Sequence, residues 1–239
     1  MYYETTGEFS ENAVVFLHGW GGSVDSFGSV IRLLPESRFF VNLDFSGFGK
    51  SAEPERPYCV DDYVNEVKNL LDLISVKKVT FVCHSFGGRV AIKFINRFPD
   101  FVEKVVFVDS AGIRPPKTLW QRFSILRYKI KKKLVKCGIC STRVLEKYGS
   151  EDYKCLSLVM KATFVRVVNE DLSELLTNIQ VPTLIVWGEK DKDTPVWMAH
   201  RFHKAIKGSR LIVYKDSGHF SYLDNLDDFV YSLYNFLTK

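Results

Sequence analysis

Residues 79–95 read VTFVCHSFGGRVAIKFI, and this run limits the fold of the chain more sharply than any other. VTFV is β-branched and aromatic, the composition of a buried strand. FGGRVAIKFINRF sets apolar residues at helical spacing and stops before Pro99. A strand that becomes a helix within two or three residues forces strained backbone angles at the turn. It also pushes the apical side chain, Ser85, clear of the backbone. Small residues are needed two before and two after the apex, because strand and helix close on one another there. The pattern is the nucleophile elbow, G-x-S-x-G, with Cys83 in place of the first glycine and Gly87 and Gly88 downstream. Cysteine is small enough for that position.

A serine hydroxyl is a weak nucleophile at neutral pH and needs a base, which in turn needs an orienting acid. The chain has five histidines: His18, His84, His200, His203 and His219. Only His219 lies in a Gly-His loop after a late apolar run, LIVY followed by KDSGHF. The strand PTLIVW precedes it and ends in GEKDKDTP, which places Asp191 at a strand end with Asp193 two residues on. Asp109 ends another apolar run, VVFV, and is a rival acid. A fourth element is the early strand AVVFL running into HGWGG, a glycine-rich turn that frees a backbone N–H. Paired with the N–H of Phe86 at the start of the elbow helix, it could hold a developing oxyanion.

These stretches (HGWGG, LDFSGFGKS, CHSFGG, VDSAG, VPTLIVWGEKDKDTP and SGHFSYLDN) resemble the α/β-hydrolase superfamily, among its capped esterase, prolyl-iminopeptidase and C–C hydrolase relatives. They span residues 13 to 239 apart from the middle. The resemblance implies a mostly parallel, doubly wound sheet with helices on both faces and a helical lid inserted after the sixth family strand. It implies Ser85 as nucleophile, His219 as base and Asp191 as acid, with the backbone N–H groups of Trp20 and Phe86 as the oxyanion hole. Asp191 is preferred over Asp109 and Asp193 because G-x-x-D at this strand end is the commoner arrangement in look-alikes. Relatives often carry an N-terminal hairpin; about twelve residues precede Ala13, so that part of the sheet is expected short or absent.

The rest of the chain alternates strand and helix: strands at 13–17, 38–43, 104–108, 182–187 and 210–214, helices at 25–34, 61–74, 196–206 and 225–237. Residues 113–178 interrupt the alternation and read as several helices. The expected organisation is a core of 1–112 and 179–239 with a helical cap over 113–178. At 239 residues and 46% hydrophobic content, one such domain can bury a large core. The N-terminus has no basic start or apolar run that would mark a signal peptide, and no run is long enough for a membrane span. Five scattered cysteines suggest free thiols and a reducing compartment, so the expected location is cytoplasmic.

Ten lysines and arginines and no acid fall between 110 and 145; the whole chain is +5, so the remainder is −5. An anionic substrate or an acidic membrane surface would exploit that stretch, but charge runs are usually solvated, and that reading is preferred. Nucleic acid is not expected, since no recognition module accompanies the charge. SGFGKS imitates the end of a P-loop, but Asp44 stands at its first glycine position. Cys137 and Cys140 form a lone C-x-x-C without further ligands. His18 reads as a loop brace, His84 as pointing away from the apex, and His200 and His203 as surface. The expected function is a serine esterase working through an acyl-enzyme on a small to medium acyl ester, with no cofactor and no metal. A C–C hydrolase (whose look-alikes usually carry Asn where His84 stands), an aminopeptidase, or a ligand-binding sensor on the same scaffold are the alternatives.

Overall fold

A computed structural model describes residues 1–35, 37–114, 127, 131, 133, 137, 153 and 155–238. Seven strands form one sheet in the order β1-β3-β2-β4-β5-β6-β7. They are β1 (Tyr2–Thr6), β2 (Asn12–Leu17), β3 (Phe39–Asp44), β4 (Lys78–His84), β5 (Val102–Val108), β6 (Thr183–Gly188) and β7 (Arg210–Tyr214). All neighbours are parallel except β1, which runs antiparallel to β3. The short N-terminal segment thus supplies one edge strand, with Tyr2 opposite Asp44 and Thr6 opposite Phe40.

The helices are α1 (Gly28–Leu33), α2 (Val60–Leu73), α3 (Phe86–Arg97), α4 (Leu158–Asn169), α5 (Trp197–Ala205), the short α6 (Ser221–Asp224) and α7 (Leu226–Thr238). Parallel strands require crossovers, and helices on both faces then bury both sides of the sheet. The strand sequences show this directly. Val15, Leu17, Phe81, Cys83, Val105, Phe107, Ile185 and Trp187 face a core closed by α2, α3, α4 and α5. The alternating residues Val14, Phe16, Val82, Val106, Val108, Leu184 and Val186 face a second core closed by α1 and α7. Strands buried on both faces read as unbroken apolar runs, which is why they were legible.

The expected 25–34 helix is split: a 3-10 turn over Val24–Phe27 precedes α1. Of the expected 113–178 insertion, the returning helix α4 and a 3-10 segment over Ser173–Asn178 are described. The two ends of the insertion lie side by side, with Leu172 N–H donating to Gly112 O (2.8 Å) and Arg114 Nη2 to Asn169 Oδ1 (3.0 Å). Most of the basic stretch, including Lys117, Arg122, Lys129, Lys132, Lys136 and Arg143, lies outside the described residues, as does Cys140. Among the described residues no helix is long and apolar enough to cross a membrane.

Candidate active site

Five loops meet at the carboxyl ends of the parallel strands, and each carries one part of the site. The elbow joins β4 to α3. Ser85 takes φ 48° and ψ −112°, a left-handed φ that L-residues adopt at a cost, typically of about 1–3 kcal/mol. Its N–H continues the ladder to Val108 O (3.1 Å), while its carbonyl accepts from Gly88 N and Ala111 N. The strand therefore stays paired up to the apex, and the helix starts at once. Close approach explains the glycine after it. A Cβ on Gly87 would lie 2.8 Å from the Leu17 carbonyl carbon and closer still to its oxygen. Cys83, two before the apex, is buried with Sγ 3.1 Å from Val106 O.

His219 Nε2 lies 3.0 Å from Ser85 Oγ, and its Nδ1 lies 2.8 Å from Asp191 Oδ2. A carboxylate accepts, so Nδ1 carries the proton and Nε2 is left as the acceptor facing the hydroxyl. Burial pulls the imidazole pKa down, but the Asp191 hydrogen bond and the charges of Asp191, Asp109 and Asp193 outweigh it, and the net shift is upward. Asp191 shows the mirror image. Burial pushes its carboxyl up, the bonds from His219 and Thr194 outweigh that, and the net shift is downward. An ionised acid beside an imidazole is the arrangement that lets the ring take a hydroxyl proton.

Asp191 is itself fixed by its turn: its Oδ1 accepts from Asp193 N (2.8 Å) and Thr194 N (3.0 Å), and Thr194 Oγ1 is 2.6 Å from its Oδ2. Thr194 was not singled out from the sequence. The D-x-x-T spacing is its only signal, an aspartate whose side chain caps the next turn. Asp193, by contrast, is exposed and makes no hydrogen bond to His219 among those observed. Asp191, Asp193 and His219 place potential ligand atoms within 4.8 Å of one another. Asp191 Oδ2 is already bonded to His219 Nδ1, Asp191 Oδ1 to the N–H groups of Asp193 and Thr194, and His219 Nε2 to Ser85 Oγ.

Asp109 does not reach the imidazole. Its Oδ1 accepts from Gly188 N (2.8 Å) and its Oδ2 from Ser221 N (3.1 Å) and Ser221 Oγ (2.6 Å). His84 is turned away from the serine, as expected, yet it is not a bystander. Its ring packs 4.8 Å from that of His219, and Nε2–H donates to His219 O at 2.7 Å. Burial, reinforced by the His219 charge, lowers its pKa to about 3, so it is neutral.

The turn after β2 brings Gly19 against the elbow. A Cβ there would lie 3.2 Å from Ser85 Cβ and 2.8 Å from His84 Nδ1. His18 braces this turn: Phe45 N–H donates to its Nε2 (3.0 Å), so its Nδ1–H donates to Gly19 O (2.7 Å). Burial lowers its pKa to about 4 and keeps that single neutral tautomer. Neither the Trp20 N–H nor the Phe86 N–H has an acceptor among the described residues. For Phe86 the reason is general, since the first N–H groups of a helix lack intrahelical partners. The Trp20 ring meets Phe48 (4.8 Å), Phe164 of α4 (5.1 Å) and Phe86 (5.5 Å), making an aromatic wall beside these N–H groups.

The P-loop look-alike folds around an acid instead of a phosphate. Asp44 Oδ1 accepts from Val24 N (2.6 Å) and Oδ2 from Lys50 N (2.7 Å). A carboxylate occupies the place where a phosphate would have to sit. His200 and His203 are exposed on α5.

A family model described as alpha/beta hydrolase fold matches residues 12–129 and 161–226. Lipase 1 of Psychrobacter immobilis is 26% identical over 262 residues, covering 95% of this chain and 77% of the lipase. Among solved structures, a bromoperoxidase from Bacillus anthracis aligns with a TM-score of 0.79 at 24% identity, covering 100% of this chain and 95% of that one. An esterase from Exiguobacterium antarcticum aligns with a TM-score of 0.78 at 24% identity, with the same coverage. At that identity the structural likenesses speak for the fold alone, while the family model spans most of the sequence: the chain belongs to the alpha/beta hydrolase fold family.

Proposed function

We propose that the chain is a serine hydrolase of carboxylic esters in which Ser85 is the nucleophile, His219 the base and Asp191 the orienting acid. The observation that carries this reading is the unbroken chain Ser85 Oγ to His219 Nε2 (3.0 Å) and His219 Nδ1 to Asp191 Oδ2 (2.8 Å). Ser85 Oγ attacks the ester carbonyl as His219 takes its proton. The tetrahedral oxyanion is held by the free N–H groups of Trp20 and Phe86. The imidazolium then protonates the leaving alcohol, leaving an acyl-enzyme. Water, deprotonated by the same imidazole, attacks the acyl carbon and frees Ser85. No step calls for a cofactor or a metal. The aromatic wall of Trp20, Phe86 and Phe164 suits an apolar acyl group of small to medium size. The likeness to Lipase 1 supports ester chemistry. We also read residues 113–178 as a cap over this site.

The test is a series of p-nitrophenyl esters of rising acyl length, with fluorophosphonate labelling. Ser85→Ala should remove labelling and lower kcat by about ten-thousand-fold or more while the fold persists. Turnover near wild type in that variant would refute the nucleophile. Tight ligand binding without turnover in the unmodified protein would make it a sensor on a hydrolase scaffold.

A further inference from the structure

We infer that Asp109 is a positioning residue for His219: its carboxylate ties the loop carrying the imidazole to the end of β6 and so sets the ring between Ser85 and Asp191. The inference rests on the hydrolase reading above.

Each polar atom of Asp109 is engaged with an element of the site. Its backbone N–H donates to Val186 O (3.0 Å), and its carbonyl O lies 2.9 Å from Thr194 Oγ1, the hydroxyl that also braces Asp191. One carboxylate oxygen holds the Gly188 N–H at the end of β6. The other holds both the N–H and the hydroxyl of Ser221, two residues after His219. His84 grips the loop at the carbonyl of His219 itself. The imidazole-bearing backbone is therefore clamped at two points, from β4 and from β5.

The fold alone does not ask for an acid here. Asp109 is 0% exposed, and it takes φ 42°, a left-handed conformation that a β-substituted residue adopts at a cost. Burial pushes its pKa up to about 7 against the bonds from Ser221 and Gly188. A strained, buried carboxyl beside a reacting imidazole is a combination expected at functional sites. The charged and titratable groups around it are Asp191 and His219, with Tyr222 on α6 and Asp193 beyond the imidazole. With its pKa near that of the ring, Asp109 is partly ionised where the imidazole titrates. The charge it carries there favours the protonated ring, so its removal lowers slightly the pH at which the imidazole becomes a free base.

The experiment measures kcat, KM and the pH profile on p-nitrophenyl butyrate for the wild type, Asp109→Asn, Ser221→Ala, the double variant and Ser85→Ala. Asp109→Asn should lower kcat by about 10- to 100-fold, the scale of a misplaced catalytic group, with KM nearly unchanged. Its acid limb should move slightly to lower pH, and the loss should fall on kcat rather than on KM, a split that a general loss of folded protein would not produce. Ser221→Ala should lose less, and the double variant should be no slower than Asp109→Asn, because both changes cut the same tie. Losses that multiply in the double variant, or a wild-type kcat, would overturn the inference. If Asp109→Asn does not fold, Ser221→Ala decides alone: lowered kcat at constant KM supports the tie, and wild-type kcat refutes it. An active Ser85→Ala would remove the hydrolase reading itself, whereas an inactive one beside a fully active Asp109→Asn removes only the role of Asp109.

Discussion

Asp191 and Asp193 stand two residues apart on one turn, and their surroundings give them different chemistry. Asp191 is buried, with both oxygens bonded and His219 held at 2.8 Å. Asp193 is exposed and touches His219 only through charge. Asp191→Asn should therefore lower kcat by about a thousand- to ten-thousand-fold, because an amide admits the wrong imidazole tautomer. Asp193→Asn should change kcat by about threefold at most, since exposed charges are screened. The pH profile follows from the same pair. The ring must be neutral to act as base, and its pKa is raised above the ordinary 6.5. The ratio kcat/KM should thus fall as pH drops through a midpoint above that value, and residual Asp191→Asn activity should show its midpoint lower. A wild-type midpoint at or below the ordinary value would contradict the pairing. Ser85, Asp191 and His219 were legible because each follows an apolar strand run, so the sequence itself places them at strand ends. Thr194, Ser221 and the engagement of Asp109 were not. They depend on β5 and β6 pairing with Val108 opposite Val186, a register no local pattern displays.

At the level of elements, the elbow is held by close packing as well as by hydrogen bonds. Gly87→Ala would drive a methyl into the Leu17 carbonyl of the adjacent strand, and backbone on both sides leaves nothing flexible to yield. Such overpacking should cost about 1–3 kcal/mol of stability, read as a lower urea midpoint, and should also reduce kcat by tilting Ser85. Gly21→Ala is the matched control: it takes φ +78° but has open space around it. It should cost about 1–2 kcal/mol through backbone strain and leave kcat nearly unchanged. Equal kinetic effects in the two would show that the elbow tolerates displacement. The same distinction explains which elements the sequence displays. Strands buried on two faces announce themselves, and α2 and α3 carry clear helical spacing. The edge strand β1, YYETT, buries little and pairs with one neighbour, so its residues carry no apolar signature. The short helix α6 is likewise invisible; its start at Ser221 is fixed by Asp109 rather than by local propensity.

Across the whole molecule, the parallel strands set one rim, and the site occupies that rim because β2, β4, β5, β6 and the loop after β7 all end there. Charge is distributed against this frame very unevenly. Ten cations and no acid lie in 110–145, while the rest of the chain carries −5. Arg127 and Lys133, among the described residues of that stretch, are exposed. Exposed charges act over roughly the screening length, about 8 Å at 0.15 M salt, and accelerate encounter rather than chemistry. Replacing Lys131, Lys132 and Lys133 with Gln should therefore leave kcat the same for neutral and anionic esters and change kcat/KM by about twofold at most at that ionic strength. The comparison should be repeated at low salt. A loss confined to anionic esters that grows as salt is lowered would assign the stretch to substrate steering. Equal losses for both esters, at every salt concentration, would instead mean that the substitutions damage the fold, because a structural defect does not distinguish the charge of the substrate. Unchanged kinetics with no binding to anionic vesicles is the expected outcome. It would make the basic stretch a solvated surface with no part in turnover.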